Sequence, residues 1–253
     1  MLKKRVITLM LWNGTTLVKG KNFDNSRRAG HPLTTMQIYN NRDVDEIIFY
    51  DIEKNTKLEN EKIDQEFIKE LTTNCSVPIT IGGGVNSLQN INDLLLSGAD
   101  KISINSSLYE NENLLVNAVK TFGSQTIVVG IDYDVNLNCY SHSGKVKTGK
   151  KLYNWAKKCE EKGAGELVIN CIEKDGLMQG YDFENLKKLS EKISIPIVVS
   201  GGAGNLEDFY KAFTCGASAV AASSVFHFTS ITPAEIKKYL SNKKINVRKN
   251  YKQ

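Results

Sequence analysis

Apolar positions along this chain fall into two alternating patterns. Short, nearly unbroken aliphatic runs predict strands at 6–12, 46–52, 78–82, 100–105, 126–132, 166–172, 196–200 and 218–222. Between them, apolar residues at helical spacing predict helices near 60–73, 87–97, 112–121, 150–163, 183–193, 205–215 and 232–241, with Pro32 opening another and 224–228 forming a short extra one. The strands are solid Val/Ile runs, the mark of parallel strands covered on both faces. Eight strand–helix units favour a closed (β/α)8 barrel over an open sheet. Residues 13–31 read as a long, glycine-containing basic loop, and a loop of that length in a compact domain is usually functional. Residues 133–149 read as a hairpin-bearing insertion, and the basic tail from Lys243 to Gln253 as frayed.

The pattern repeats. Pro78-Ile-Thr-Ile-Gly-Gly-Gly84 aligns without a gap on Pro196-Ile-Val-Val-Ser-Gly-Gly202, and Gly98 and Ser106 then fall on Gly216 and Ser224. Glu46-Ile-Ile-Phe-Tyr-Asp-Ile-Glu-Lys54 likewise resembles Glu166-Leu-Val-Ile-Asn-Cys-Ile-Glu-Lys174. Two pairs in the same order predict one domain over 1–253 built of two half-barrels, roughly 1–122 and 123–253.

Composition narrows the function. A chain of 253 residues with 41% hydrophobic content suits one such barrel. The net charge of +5 is spread along helices, which suits small anionic ligands and gives no nucleic-acid stripe. Five widely spaced cysteines without a Cys-x-x-Cys suggest reduced thiols in a cytoplasmic protein. No His/Cys cluster suggests a metal, and no segment reaches membrane-spanning length. No cofactor is implied.

In a barrel of this kind the loops after the strands build the site. Gly83 and Gly84 in one half, and Gly201 and Gly202 in the other, let backbone N–H groups approach an anion; Asn105-Ser106 and Ser223-Ser224 precede helix starts. Paired in register, these turns predict a substrate with a phosphate at each end, and Gly176 joins them after strand six. Asp132 ends a strand after an uncharged run and is the candidate acid/base. Asp51 and Asp175 end or follow strands, and Asp175 suits turn-shaping or a ligand hydroxyl; together with Lys19 of the long loop they are assigned to substrate loops. Arg5, Glu46, Lys101 and Glu166 stand at strand starts, so two cations and two anions would ring the opposite face and close it as a floor or gate.

These residues carry a resemblance. Val18-Lys-Gly-Lys-Asn-Phe23, Asp45-Glu-Ile-Ile-Phe-Tyr-Asp51, Gly98-Ala-Asp-Lys-Ile-Ser-Ile-Asn105, Ile131-Asp132, Asp175-Gly176, Ser200-Gly-Gly-Ala-Gly204 and Ser224-Val-Phe-His-Phe228 resemble the cyclase subunit (HisF) of imidazole glycerol phosphate synthase over essentially the whole chain. The resemblance implies a glutaminase subunit (HisH-like) docked on the bottom face. Ammonia would cross the gate of Arg5, Glu46, Lys101 and Glu166 and attack a bisphosphorylated ribulosyl-type nucleotide at the top. It also implies two catalytic Asp residues, one after strand one and one after strand five.

Asp132 matches the second of these. The first should lie near position 11, which is Leu11, and no Asp or Glu occurs in residues 1–23. Loss of one of two acid/base groups commonly removes about 10²–10⁴-fold of rate. Three expectations follow. The chain is a working cyclase-type subunit in histidine biosynthesis; or a divergent paralogue that channels ammonia to a third, amidotransferase protein making amidino sugars for bacterial surface glycans; or a phosphometabolite-binding module without catalysis. The missing carboxylate leans towards the second for the chemistry, and the phosphate motifs towards the first.

Overall fold

The computed structural model describes residues 3–53 and 64–248. The strands are β1 Arg5–Trp12, β2 Leu17–Lys21, β3 Asp24–Gly30, β4 Glu46–Asp51, β5 Ile79–Gly82, β6 Lys101–Ile104, β7 Ile127–Tyr133, β8 Asn138–Ser141, β9 Val146–Lys151, β10 Glu166–Cys171, β11 Ile197–Ser200 and β12 Ala219–Ala222. Parallel pairing runs β1-β4-β5-β6-β7-β10-β11-β12 and returns to β1, so eight strands close into a barrel. The helices are α1 Pro32–Asn41, α2 Gln65–Thr73, α3 Leu88–Leu96, α4 Ser106–Glu110, α5 Asn113–Phe122, α6 Leu152–Glu161, α7 Phe183–Ser190, α8 Leu206–Thr214, α9 Ser224–Phe228 and α10 Pro233–Asn242.

The solid aliphatic runs have their cause in this closure. Along β1, Val6 and Met10 pack outward on the helices, while Ile7 and Leu9 point to the axis. The axial layer is Ile7, Leu9, Ile48, Val128, Val168, Val198, Ala219 and Ala221, with Leu11 and Tyr50 packed against it. Both faces of each barrel strand are therefore largely dry, and the polar residues buried inside them are small ones, such as Thr8 of β1, Thr80 of β5 and Ser103 of β6. Among the described residues no helix is long and apolar enough to cross a membrane, and the five cysteines are free.

The two aligned segments fold alike. Ser87 caps α3 by accepting from Asn90 N, and Asn205 caps α8 by accepting from Asp208 N. The residues before α4 and α9, Asn105 and Ser223, share an unusual backbone at φ −133°, ψ −86° and φ −143°, ψ −64°.

Three readings of the sequence need correction. The long loop at 13–31 is an antiparallel hairpin, β2 on β3, with register shifts along it. Two helices, α4 and α5, follow β6, where the apolar spacing predicted one at 112–121. The tail is held as far as Val247: Lys4 N donates to Asn246 O at 2.8 Å, and Val247 is buried. The expected start of the helix near 60, and the last five residues of the expected frayed tail, lie outside the described residues.

Candidate functional site

At the carboxyl ends of the strands the barrel opens into a cavity of about 280 Å³. Leu9 and Leu11 of β1, Tyr50 of β4, Ser103 of β6, Asp132 of β7 and Asn170 of β10 face it, and Gly83, Gly84, Asn105 and Ser106 line one side. A smaller cavity of about 20 Å³ adjoins it, lined by Lys19, Gly176, Gly201, Gly202, Ser223 and Ser224. Asp175 lines both. The structure thus gathers the predicted phosphate turns into two groups, one for each half of the repeat.

The turn glycines answer first to local geometry. At Gly83, with φ 110°, a Cβ would stand 2.1 Å from Asp51 O; at Gly201, with φ 81°, it would stand 2.2 Å from Asn170 Oδ1. At Gly83 the turn passes too close to the β4 backbone for any side chain, and at Gly201 the positive φ and the Asn170 amide together favour glycine.

Asp132 is half-buried, its open side towards the cavity. Its Oδ2 accepts from Asn105 Nδ2 at 2.8 Å, so the Asn105 side chain, expected at a phosphate, is turned to the carboxylate. The dry walls push Asp132 up to about 7, the nearby Asp175 charge pushes the same way, and the Asn105 bond opposes both. Asp175 rises to about 6 through burial, moderated by Lys19. Lys19 is buried, falls to about 8 by the same desolvation, and donates from Nζ to Leu9 O at 3.1 Å. Ser223 Oγ bonds to the same Leu9 carbonyl, and Ser106 Oγ accepts from His142 N at 2.9 Å.

The loop that carries Asp175 is pinned from both sides. Asp175 N donates back to Cys171 O and Ile172 O at 3.2 Å each, and Asp175 O accepts from Asn22 N at the tip of the β2–β3 hairpin at 2.9 Å. Asp51 stands apart from both cavities; its Oδ1 accepts from Glu53 N at 3.1 Å and shapes the turn after β4.

At the opposite end the four charges meet. Arg5 Nη1 lies 2.8 Å from Glu46 Oε1, and Arg5 Nη2 pairs with Glu166 Oε1. Lys101 Nζ reaches Glu46 Oε2 at 3.2 Å and Glu166 Oε2 at 3.0 Å. Burial disfavours the Arg5 charge, yet Glu166 and Glu46 hold it above its ordinary value. This is a closed ring of alternating sign across the barrel floor.

The histidine biosynthesis protein family model matches residues 9–232. The chain belongs to that family. The chain is 42% identical over 252 residues to the imidazole glycerol phosphate synthase subunit HisF of Bacteroides fragilis, covering 98% of this chain and all of the relative. It is 38% identical to the same subunit of a Thermotoga species over 98% of both chains. To that of Thermococcus onnurineus it is 38% identical over 99% of this chain and the whole of the relative. The family resemblance read from the motifs therefore holds over the full barrel.

Sequence reasoning missed Tyr50, Ser103 and Asn170. Tyr50 Oη and Ser103 Oγ are 3.0 Å apart within the barrel mouth. Asn170 pairs in register with Asp132 across β10 and β7. Their positions at the inward, carboxyl-terminal ends of strands were the available signal. Among the described residues no group of three or more His, Cys, Asp or Glu is placed to hold a metal ion.

Proposed function

We propose that this chain is a HisF-type cyclase subunit of a glutamine amidotransferase in histidine biosynthesis, working in the cytoplasm. Its upper cavity takes a bisphosphorylated ribulosyl-type nucleotide and joins ammonia to it, giving imidazole glycerol phosphate and an aminoimidazole carboxamide ribotide. One phosphate sits at Gly83, Gly84, Asn105 and Ser106, the other at Gly176, Gly201, Gly202, Ser223 and Ser224. Lys19, Asp175 and the loop containing Asp51 contribute to substrate binding. A glutaminase subunit docks on the floor and supplies ammonia through the ring of Arg5, Glu46, Lys101 and Glu166. The whole of 1–253 acts as one domain of two half-barrels.

The observation that carries this reading is Asp132: a carboxyl group tuned to about 7, facing a cavity between two glycine turns, at the far end of the barrel from a closed ion ring. A proton-transfer group works best when its pKa lies near the operating pH. The test is turnover of the bisphosphorylated substrate with ammonium salt, followed by product chromatography. Product formation lost in Asp132→Asn supports the reading. Absence of product, both with ammonium and with a glutaminase and glutamine, refutes it.

Leu11 favours a second reading, since it places an aliphatic side chain in the cavity. In that reading the barrel conducts ammonia to a third protein. A stable glutaminase complex that releases ammonia but never cyclises the substrate would select it.

A further inference from the structure

We propose that Asp175 is the second proton-transfer group of this site, the partner of Asp132, in place of the carboxylate that Leu11 displaces. The inference rests on the cyclase reading above and deepens it.

The cavity offers few groups able to exchange protons. Leu11 and Tyr50, register partners on β1 and β4, pack against the axial aliphatic layer. Burial raises the Tyr50 hydroxyl above its ordinary value, and it is bonded to Ser103. Glu110 is exposed on α4 at the rim. His142 sits on the β8–β9 turn with Nδ1 on Ser141 Oγ at 3.0 Å. Lys19 is committed to the Leu9 carbonyl.

Asp175 differs from the titratable groups among these. It lines the cavity that Asp132 faces, and it also lines the smaller cavity beside it. It follows β10, the direct neighbour of β7, so the two carboxyl groups come from adjacent units of the barrel. Its backbone is fixed on one side by β10 and on the other by Asn22, so its place is preorganised. Lys19, bonded to a carbonyl of β1, lies close enough to moderate its charge. Asp175 and Leu11 line the same two cavities, so Asp175 shares the space that a side chain at position 11 enters. The two carboxyl groups also sense one another: each ionised Asp175 makes Asp132 harder to ionise.

A split pair of this sort suits addition of ammonia to a ketone. The ammonia lone pair forms the C–N bond, and the carbonyl π pair moves to oxygen. That oxygen takes the proton of neutral Asp132. The surplus proton on nitrogen goes to the Asp175 carboxylate. Asp132 ends ionised and Asp175 protonated. Loss of water to the imine reverses the exchange: Asp175 protonates the departing hydroxyl, Asp132 takes a nitrogen proton, and both groups are restored.

The test uses the full chain with the bisphosphorylated substrate and saturating ammonium salt. In Asp175→Asn, kcat should fall by about 10²–10⁴-fold with a smaller change in KM, and the bell-shaped pH profile should lose one limb. Asp175→Glu should recover part of the rate, and adding Leu11→Asp to Asp175→Asn should recover more. A loss confined to KM with both limbs intact makes Asp175 a binding residue and overturns the proposal, as does an unchanged kcat. Carboxyl-carbon NMR gives a readout independent of turnover: the Asp132 midpoint should drop in Asp175→Asn, and an unmoved midpoint also overturns it. If the unaltered chain never turns over, the cyclase reading falls and takes this role with it. If the chain turns over and Asp175→Asn does so equally well, this role alone falls.

Discussion

Replacing Asp132 by Asn should stabilise the protein while removing its chemistry. The carboxyl rises from 3.8 in the unfolded chain to about 7 in the fold, because dry walls and the Asp175 charge disfavour ionisation. The sign follows from linkage. Below pH 3.8 both states are protonated and nothing is lost. Between there and about 7 the unfolded chain gives up its proton while the folded one keeps it, so stability falls as pH rises; above 7 the penalty is constant. The full gap corresponds to about 4 kcal/mol at about 1.36 kcal/mol per pH unit. The open side of the cavity solvates part of the charge, so a gain of about 2–4 kcal/mol at pH 8 is expected. For a chain of this size that raises Tm by about 4–16 °C. The Asn105 bond survives, since an Asn oxygen still accepts at 2.8 Å. Urea unfolding of both proteins at pH 4, 6 and 8 reads the effect, and the gap should shrink below about 1 kcal/mol at pH 4. A gap that is flat with pH, or a variant less stable at pH 8, would refute the account of Asp132 as a carboxyl strained by its surroundings.

Other perturbations test the frame around the site. Lys237 is buried 2.8 Å from Asp43 Oδ1 and 3.1 Å from Asp45 Oδ1, and Asp45 Oδ2 accepts from Val6 N at 2.8 Å. Lys237→Met should cost about 3–5 kcal/mol in chemical denaturation, because it strands a buried carboxylate; adding Asp45→Asn should recover part of that, and no recovery would count against the pairing. Gly82→Ala places a Cβ 2.8 Å from the Tyr50 ring and 3.0 Å from Ser103 Cβ. It should cost about 1–3 kcal/mol by thermal melting, and Tyr50→Leu in the same chain should relieve it; strictly additive costs would exclude the clash. Glu46→Gln unbalances the floor ring, so glutamine-driven turnover in a glutaminase complex should fall more than ammonium-driven turnover, and equal falls would remove the gate role.

How much of this was legible in the chain depended on range. The barrel strands were visible because closure dries both faces, so β1, β7 and β10 read as nearly unbroken apolar runs. Asp132 was visible because a charge at the end of such a run has no packing reason to be there. The β2–β3 hairpin was not, because Asp24-Asn-Ser-Arg-Arg-Ala-Gly30 pairs only with β2 and carries no apolar alternation. Asp175 was legible as a residue but not as a neighbour of Asp132. Its place is set by a bond from Asn22, far away in sequence, and by a cavity that exists only once β7 and β10 lie side by side.

The two polar ends of the barrel are linked by what separates them. Between the floor ring and the upper cavity lie Ile7, Ile48, Val128, Val168, Val198 and Ala219, which offer no charge and little polarisability to screen a field. The ring is balanced, two cations against two anions, and Asp132 accordingly takes its shift from its own walls and from Asp175 rather than from the floor. A balanced ring should leave the Asp132 midpoint alone, and an unbalanced one should not. Glu46→Gln leaves one net positive charge at the base of an aliphatic column, and that charge favours an ionised Asp132 at the other end. The Asp132 midpoint in Glu46→Gln should move down, while a double exchange that restores neutrality, Glu46→Gln with Lys101→Met, should return it. A midpoint indifferent to both would mean that the two ends are electrically independent.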